Sequence, residues 1–406
     1  MTLSFPRLSF LHLSFPKLSL RSLLGALTLG LALPLQAAAA PAPFTGDPDV
    51  EAFIASMQER HGFNGDELHQ LFAAIAPNDT VLAAIQPSAA AERRSWQTYR
   101  NGFVNARRIR RGVAFWQEHQ DLVREAEFRF GVPGEIIIAI IGVETEYGRN
   151  TGRFGVFQAL STLAFRYPPR AEFFRGELEQ LLLLARENSQ APLSLKGSYA
   201  GAMGIPQFMP GSQRRFAVDF DSDGRVDLRN SPADAIGSVA SFLAAHGWRP
   251  GEAIAHHLPP TFVPLPELPP GDLKPRYDAP TLRRLGLPLA ANDTKSYALL
   301  DLASTEAPTE YWLGEENFFV ITRYNRSSFY AMAVFQLGEK LREAMAQPEL
   351  LSSRVSPGKP EATPGSGSGK SSGKGMKKKA GNPAKAARPA PRREHHTVGN
   401  GTHHRA

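Results

Sequence analysis

The chain of 406 residues contains no cysteine. This absence excludes disulfides, thiolate metal ligands and lipid attachment at an N-terminal cysteine of a mature protein. Beyond residue 40 the chain also lacks an apolar run of the roughly 20 residues that span a bilayer. Hydrophobic residues make up 42% and charged residues 21%, close to the usual globular mixture, so wholesale disorder is excluded as well.

The central part of the chain, residues 41–354, is not basic, although the formal net charge of the whole chain is +7. Residues 1–40 carry +3, and residues 355–406 carry 7 Lys and 4 Arg against 2 Glu, or +9. Subtracting both from +7 leaves −5 for residues 41–354. Because this body is mildly acidic, we expect no nucleic-acid partner.

The first 40 residues have the layout of a cleaved secretory signal. Basic residues up to Arg21 precede an apolar run from Leu23 to Leu35 and the small-residue stretch Gln36-Ala-Ala-Ala-Ala40. A transmembrane anchor is the alternative, but the run is short and contains Gly and Pro. We therefore expect an exported, soluble, periplasmic protein with no transmembrane segment after signal cleavage.

The other end, residues 346–406, is predicted to be a disordered basic tail rich in Gly, Ser, Pro and Lys. From about Ser356 it has almost no large apolar residue, so folding would not bury enough surface to offset the loss of chain entropy. The tail is either a solvated linker or a cationic tether to an anionic polymer or membrane surface, with an attraction that weakens as salt rises.

Between these ends, residues 41–345 are predicted to be mainly α-helical, with a small β element late in the chain. Apolar residues recur at three- and four-residue steps, as on one face of a helix. The segments with this spacing are 47–75, 93–130, 171–187 and about Ser327 to Ala344. Ser231-Pro-Ala-Asp234 is a capping box that opens a further helix. Residues 251–320 favour loops and short strands, and no βαβ rhythm is present.

One acidic residue occupies an apolar position in a helix that should be buried. The segment EIIIAIIGVETEYG is apolar nearly all round and ends at Gly148. Ile137 and Ile141 lie on one stripe, on which the position seven residues after Ile137 is Glu144. Burial raises the pKa of such a carboxyl group and favours a general acid near neutral pH. The alternative is a carboxylate that reaches water or a buried arginine, and Glu146 is expected to point to the opposite side, into solvent.

Four segments of the body carry a family resemblance. They are IIGVETEYGRNTGRFGVFQALSTLAFRYP (140–168), GELEQLLLLARENSQAPLSLKGSYAGAMGIPQFMPGS (176–212), DFDSDGRVDLRNSPADAIGSVASFLAAHGW (219–248) and NFFVITRYNRSSFYAMAVFQLGEKL (317–341). In this order they closely resemble the membrane-bound lytic murein transglycosylase B family, lytic transglycosylase family 3. The resemblance implies a lysozyme-like α-helical catalytic domain with an EF-hand-like calcium loop.

The resemblance implies a lytic transglycosylase that cleaves the β-1,4 bond between N-acetylmuramic acid and N-acetylglucosamine in peptidoglycan glycan strands. In that family the glutamate of E-T-x-Y/W-G is the single catalytic acid and base, and it falls on Glu144. It would protonate the glycosidic oxygen and then deprotonate the muramyl 6-hydroxyl, which closes a 1,6-anhydro ring. Ordinary glycosidases use two carboxylates, but an intramolecular nucleophile needs only one. No cofactor is implied for catalysis.

The resemblance also implies a set of saccharide-cleft residues. They are Tyr99, Ser198, Gln207, Tyr324, Asn325 and Tyr330. Ser198 and Gln207 lie in GSYAGAMGIPQF, whose small residues let a sugar approach the backbone, although a tight interhelical turn explains the same composition. For any single tyrosine, core packing is the ordinary alternative. A family pair of arginines near the acidic stem peptide appears here as Pro169-Arg170, so only Arg170 keeps that expected contact.

An aspartate-rich loop predicts a calcium site. The pattern places ligands at positions 1, 3, 5, 7 and 12, with glycine at position 6 for the sharp turn. The ligand positions are Asp219, Asp221, Asp223, Arg225 (by its carbonyl) and Asn230. Asn230 replaces the usual bidentate glutamate, so we expect weakened affinity. An Asx-rich turn is the alternative; because the family includes such a site, we expect calcium in a structural role.

Two other functions remain open. One is a hydrolytic muramidase, which admits water to the same cleft and differs only in its product. The other is a non-catalytic peptidoglycan-binding scaffold, in which the cleft and the basic tail serve recruitment. Glu144 argues against the scaffold, since a binding protein has no need to bury a carboxylic acid.

Overall fold

The computed structural model describes residues 43–86 and 95–347, and this part of the chain is mainly helical. The helices are α1 (Pro48–His61), α2 (Gly65–Ala73), α3 (Asp79–Ile85), α4 (Trp96–Phe103), α5 (Ala106–Glu118), α6 (Gln120–Phe130), α7 (Gly134–Thr145), α8 (Val156–Arg166), α9 (Ala171–Glu187), α10 (Pro210–Phe216), α11 (Pro232–Ala245), α12 (Ala279–Arg284), α13 (Glu316–Tyr324) and α14 (Ser328–Ala346). The strands are β1 (Phe154–Gly155), β2 (Lys196–Gly197), β3 (Ala255–His257), β4 (Tyr277–Asp278), β5 (Ser296–Leu302) and β6 (Glu310–Gly314). The predicted mainly α class with a small late β element is confirmed.

The predicted ends of the chain lie outside this part. The described residues include neither the predicted signal, residues 1–40, nor the predicted tail beyond residue 347. Among the residues that are described, no helix has both the length and the apolar character needed to cross a membrane.

Capping residues fix where several helices begin. At the start of α11, the Ser231 hydroxyl accepts a hydrogen bond from the Asp234 amide at 3.1 Å, as the capping box predicts. The second half of the box does not form. The Asp234 carboxylate instead accepts from the amides of Phe220 (2.8 Å) and Asp227 (2.7 Å), so it holds the preceding aspartate-rich loop against α11.

Helix α7 lies in the largest hydrophobic core and packs against α5, α6, α11 and α14. Ile137, Ile140 and Ile141 are completely buried, which confirms the predicted central position of this helix. The helix ends at Thr145 and not at Gly148, because Glu146 and Tyr147 take the left-handed conformation with φ of 51° and 62°. A left-handed residue closes the helix by bringing its amide to an earlier carbonyl.

A second core lies between α8 and α9 and includes residues of α1 and α2. Its aromatic side chains meet largely edge to face; the Phe44 and Phe72 rings, for example, are 6.0 Å apart at 62°. This core is separate from the one that contains α7. Strand β1, which pairs with β2, lies between the turn after α7 and the start of α8.

The late β element is an antiparallel sheet with the order β3-β6-β5-β4. Because side chains alternate along a strand, Ala298 and Leu300 of β5 enter the α7 core, whereas Tyr297 and Leu299 enter a small third core beside α12. The sheet thus covers one side of the α7 core. Helix α13 starts just after β6 and packs against α11 and α14.

Candidate active site

Glu144 lies in the last turn of α7 and is a buried residue, with 7% of its surface exposed. The Tyr330 hydroxyl, from the first turn of α14, donates a hydrogen bond to Glu144 Oε1 at 2.7 Å. Two helices that are distant in sequence therefore fix the direction of this carboxyl group.

Burial raises the pKa of Glu144 from 4.5 to about 7. The hydrogen bond from Tyr330 acts in the opposite direction, because it stabilises the ionised carboxylate. Burial, together with the nearby Glu144 charge, also raises the pKa of Tyr330 well above 10, so its phenol remains a donor. The carboxyl group can thus both release and accept a proton near pH 7.

Tyr324, at the end of α13, extends this arrangement toward the loop between β2 and α10. Its ring stacks with the Tyr330 ring at 6.4 Å and 14°, and its hydroxyl donates to the Pro206 carbonyl at 2.6 Å. The two tyrosines thus connect Glu144 to the small-residue loop that precedes α10.

Two further hydrogen bonds hold this loop to the end of α7. The Thr145 hydroxyl donates to the Ile205 carbonyl at 2.8 Å and accepts from the Gly148 amide at 2.9 Å. Gln207 donates its side-chain amide to the Thr151 carbonyl at 3.2 Å and to the Gly204 carbonyl at 2.8 Å. The Gln207 side-chain oxygen therefore remains as the acceptor that this residue can offer to a ligand.

The expectation that Glu146 is solvated is wrong. Its side chain is only 8% exposed and forms ion pairs with Arg107, at 3.1 Å, and with Arg111, both from α5. The neighbouring Arg108 is buried and donates to the Gly142 carbonyl of α7. The helical-wheel argument failed because α7 ends before Glu146, so the direction of this side chain follows the left-handed turn.

Tyr147, the next residue of the turn, fits between two glycines. A Cβ atom at Gly112 of α5 would lie 2.2 Å from the Tyr147 hydroxyl oxygen, and one at Gly142 of α7 would lie 2.6 Å from it. These positions accept no larger side chain while Tyr147 keeps its place. The tyrosine of the E-T-x-Y-G pattern is thus a packing element behind Glu144.

The remaining predicted cleft residues divide into two groups. Tyr99 of α4 packs against Phe103 and Phe329 at the edge of the first core, so it lies on the Glu144 side. Asn325 follows α13 directly; its Oδ1 atom is buried and accepts no hydrogen bond from the described residues. A buried acceptor of this kind is rare unless a ligand or water completes it.

Ser198 and Arg170 have structural partners of their own. The Ser198 hydroxyl accepts from the Ala202 amide at 3.0 Å and so stabilises the turn that was the alternative to sugar binding. The Arg170 guanidinium stacks over Phe173 at 4.3 Å and Phe174 at 5.0 Å, beside the second core. The contacts of Arg170 are thus with aromatic residues of the second core, whereas those of Glu144 are with residues of the first.

The aspartate-rich loop brings three carboxylates together. Asp219, Asp221 and Asp223 offer oxygens that all lie within 4.8 Å of one another. Oxygens around one calcium ion, each bound at about 2.3–2.6 Å, have such separations. The Asn230 side chain donates to Asp227 at 2.9 Å, and Arg225 donates its amide to Asp223 at 2.9 Å. The donor set therefore fits a hard cation.

Sequence reasoning missed three contributors to this region. They are Thr145, the α5 arginines around Glu146, and Asp234 behind the aspartate-rich loop. Only the arginines gave a usable signal, because Arg107 and Arg111 are four residues apart and therefore share one face of α5. The carbonyls and amides that Thr145 and Asp234 bind come from distant segments, which no local pattern identifies.

Comparison with known proteins places this geometry in context. The family described as "Transglycosylase SLT domain" matches residues 45–339. The membrane-bound lytic murein transglycosylase B of Escherichia coli strain K12 is 41% identical over 316 residues, which cover 75% of this chain and 85% of that protein. These ranges include both Glu144 and the aspartate-rich loop.

Solved structures give the same result. The soluble lytic transglycosylase SltB1 from Pseudomonas aeruginosa is 45% identical, with a TM-score of 0.68 over 74% of this chain and 100% of that one. The Escherichia coli lytic transglycosylase Slt35 in complex with calcium is 41% identical, with a TM-score of 0.68 over 75% of this chain and 96% of that one. The similarity therefore covers 96% or more of the length of these two relatives.

Because the pKa of Glu144 is raised in the folded protein, the free energy of unfolding should fall as the pH rises. At pH 4 the carboxyl group is mostly protonated in both the folded and the unfolded chain, so burial carries little ionisation penalty. As the pH rises from about 4.5 to about 7, the unfolded chain ionises first and the folded state loses stability, by about 3 kcal/mol in total. The unfolding free energy of Glu144→Gln, relative to that of the wild type, should therefore be higher at pH 8 than at pH 4 by about 3 kcal/mol. Urea unfolding of both proteins at the two pH values measures this difference.

The control is Glu125→Gln, at an exposed position on α6. Its difference from the wild type should change little between the two pH values. Equal behaviour of the two variants would contradict the raised pKa of Glu144.

Proposed function

We propose a catalytic role for Glu144 in a chain that belongs to the transglycosylase SLT domain family and is a peptidoglycan lytic transglycosylase. Glu144 is the single acid and base of its reaction. The observation that carries the proposal is the buried carboxyl group with a pKa of about 7 beside the Tyr330 hydroxyl. Further support is that Tyr330 of α14, which binds this carboxyl group, stacks on Tyr324 of α13.

In the first step, neutral Glu144 donates its proton to the oxygen of the β-1,4 bond between N-acetylmuramic acid and N-acetylglucosamine. The C1–O bond breaks, and its electron pair stays on the departing N-acetylglucosamine oxygen. The positive charge that develops on the muramyl ring is stabilised by the substrate's own N-acetyl group. The hydrogen bond from Tyr330 stabilises the carboxylate that results.

In the second step, the Glu144 carboxylate accepts the proton of the muramyl 6-hydroxyl. The O6 atom then forms a bond to C1, which gives the 1,6-anhydro ring and returns Glu144 to its neutral form. Because the nucleophile belongs to the same sugar, the effective concentration is high and no second carboxylate has to activate water. A pKa near 7 suits both steps, since one group must serve in turn as acid and base.

The cleft residues have distinct proposed roles. Asn325 Oδ1 and the Gln207 side-chain oxygen accept hydrogen bonds from sugar hydroxyl or acetamido groups, since these residues directly follow Tyr324 and Pro206, whose hydrogen bond lies beside Tyr330. Tyr99 offers an aromatic face, and Ser198 lines the turn. Tyr324 and Tyr330 act mainly by holding Pro206 and Glu144 in position, because their hydroxyls donate to those residues. Arg170 would meet only a distal part of the substrate, such as a stem peptide.

We further propose a structural calcium ion in the aspartate-rich loop. Asp219, Asp221 and Asp223 would hold it by their carboxylates, with the Arg225 carbonyl and Asn230 completing the set. The ion would offset the repulsion among three close carboxylates and rigidify the loop. The Ile205 amide donates to the Leu228 carbonyl at 2.7 Å, so this loop also supports the segment that Thr145 holds beside Glu144.

The ends of the chain complete the proposal. Residues 1–40 would direct export, so that residues 41–345 act on peptidoglycan in the periplasm. The basic tail, residues 346–406, would be a solvated linker or a tether to an anionic polymer or membrane surface. The support for these roles is the sequence pattern alone.

Product analysis tests the proposed role of Glu144. Digestion of purified peptidoglycan should release muropeptides lighter by one water than hydrolysis products and without a reducible muramyl end. Glu144→Gln should lower the yield at least about 100-fold, because the amide can neither give nor take the proton. Mass spectrometry before and after borohydride reduction measures both quantities.

Glu125→Gln, an exposed change of the same chemistry, should leave the yield unchanged. Reducible ends in the wild-type digest would indicate a hydrolytic muramidase. Undiminished anhydro product from Glu144→Gln would refute Glu144 as the acid and base.

Calcium should raise the melting temperature of the protein relative to chelator. At a calcium concentration about 100 times Kd, the stabilisation of the folded state is about 2.7 kcal/mol. Asp221→Asn should remove most of the difference, whereas Asp121→Asn, at an exposed site on α6, should keep it. Equal melting temperatures with calcium and with chelator would refute the site.

A further inference from the structure

One acid of the late sheet lies on a face that otherwise carries apolar side chains. Leu302 of β5 pairs with Glu310 of β6, and Leu300 pairs with Trp312. Opposed residues of an antiparallel pair point to the same face of the sheet, and both leucines belong to the first core. Glu310 therefore points toward the core that contains α7, where a carboxylate needs hydrogen-bond partners.

Two indoles are the partners of this carboxylate. Trp96 Nε1 donates to Glu310 Oε1 at 3.1 Å, and Trp312 Nε1 donates to Glu310 Oε2 at 3.3 Å. Trp96 is completely buried in the first core. The only polar atom of an indole is a donor, which needs an acceptor when it is buried. Glu310 thus supplies the acceptor that the Trp96 side chain requires.

The loop between β5 and β6 also holds the start of α4. The Trp96 amide donates to the Ala303 carbonyl at 2.8 Å, and the Gln97 amide donates to the Ser304 hydroxyl at 3.2 Å. These two bonds fix the backbone of the first turn of α4. The bond to Glu310 fixes the direction of the Trp96 side chain, so one hairpin holds both parts of this residue.

The Trp96 ring packs against two aromatic residues beside the proposed acid. Its centroid lies 5.4 Å from that of Phe329 at an angle of 61°, and 6.4 Å from that of Tyr99 at 24°. Phe329 directly precedes Tyr330 in the first turn of α14, and the Tyr330 hydroxyl donates to Glu144 at 2.7 Å. Contacts therefore run continuously from the late sheet to the Glu144 carboxyl group.

We propose that Glu310 is a positioning residue for the Glu144 reaction and acts through Trp96. This inference rests on the proposed function, since it concerns how the Tyr330 hydroxyl is directed toward Glu144. A buried indole that lost its acceptor would turn toward another partner, and the closely packed rings beside it would have to move as well. Because Phe329 and Tyr330 are consecutive, a shift of the first ring displaces the second.

Glu310→Gln tests this proposal, together with Trp96→Phe, which removes the donor of the same hydrogen bond. On soluble glycan strands at pH 7, each variant should lower kcat about tenfold, because a displaced Tyr330 no longer stabilises the Glu144 carboxylate. The double variant should lower kcat no further than either single change, since both remove one interaction.

A second measurement needs no substrate. The titration midpoint of the carbon-13-labelled Glu144 carboxyl group, measured by NMR, should rise above 7 in both variants, because the hydrogen bond from Tyr330 favours the ionised form. Near-ultraviolet circular dichroism identifies the variants that fold, and Trp96→Phe alone decides the question if Glu310→Gln does not.

Two controls separate positioning from a general loss of stability. Trp312→Phe removes the other indole from the same carboxylate and should keep the wild-type kcat and midpoint. In a Tyr330→Phe background, Glu310→Gln should have no further effect on kcat, since the residue through which it acts is already changed.

Three results would overturn the inference. They are wild-type kcat and midpoint in a folded Glu310→Gln or Trp96→Phe variant, an equal loss of kcat in Trp312→Phe, and a full effect of Glu310→Gln in the Tyr330→Phe background. The proposed function is judged separately, by the anhydro product of the wild type and its loss in Glu144→Gln, so failure of this inference leaves it intact.

Discussion

The burial of one carboxyl group beside a phenol is the interaction on which the proposed active site depends. Glu144 stands where the apolar stripe of α7 requires an aliphatic side chain, and burial raises its pKa to about 7. A carboxyl group left in this environment without a partner would have no fixed direction. The Tyr330 hydroxyl supplies both an orientation and stabilisation of the ionised form, so one residue can serve successively as acid and base.

The rest of the region keeps that carboxyl group in place. Just beyond Thr145 the chain takes two successive left-handed residues, a conformation that is strained for non-glycine side chains and persists only where the structure supports it. Support comes from the ion pairs of Glu146 with α5 and from Tyr147 against two glycines. Thr145 and Tyr324 then fix the adjacent loop by its carbonyls. These contacts hold the turn and the loop on either side of Glu144, so its carboxyl group is oriented before substrate arrives.

The sequence predicts the parts of this site that depend on local periodicity. The buried α7 helix, the position of Glu144 on its apolar stripe and the Ser231 cap all follow from spacing over a few residues. It does not predict Glu146, because the helical wheel applies only while the helix continues, and the Arg111 side chain comes from 35 residues earlier in the chain. The bond from Tyr330 spans 186 residues and was expected only as a cleft position carried over by resemblance. Tertiary pairing of this kind has no periodic signal.

Direct titration of Glu144 tests the account most closely. The side-chain carboxyl carbon, labelled with carbon-13 and assigned by its absence in Glu144→Gln, can be followed by NMR from pH 3 to pH 9. The account predicts a midpoint near 7 for Glu144, well above the ordinary value of 4.5. A midpoint near 4.5 in the folded protein would mean that the carboxylate is ionised throughout the neutral range, and would contradict its role as the proton donor.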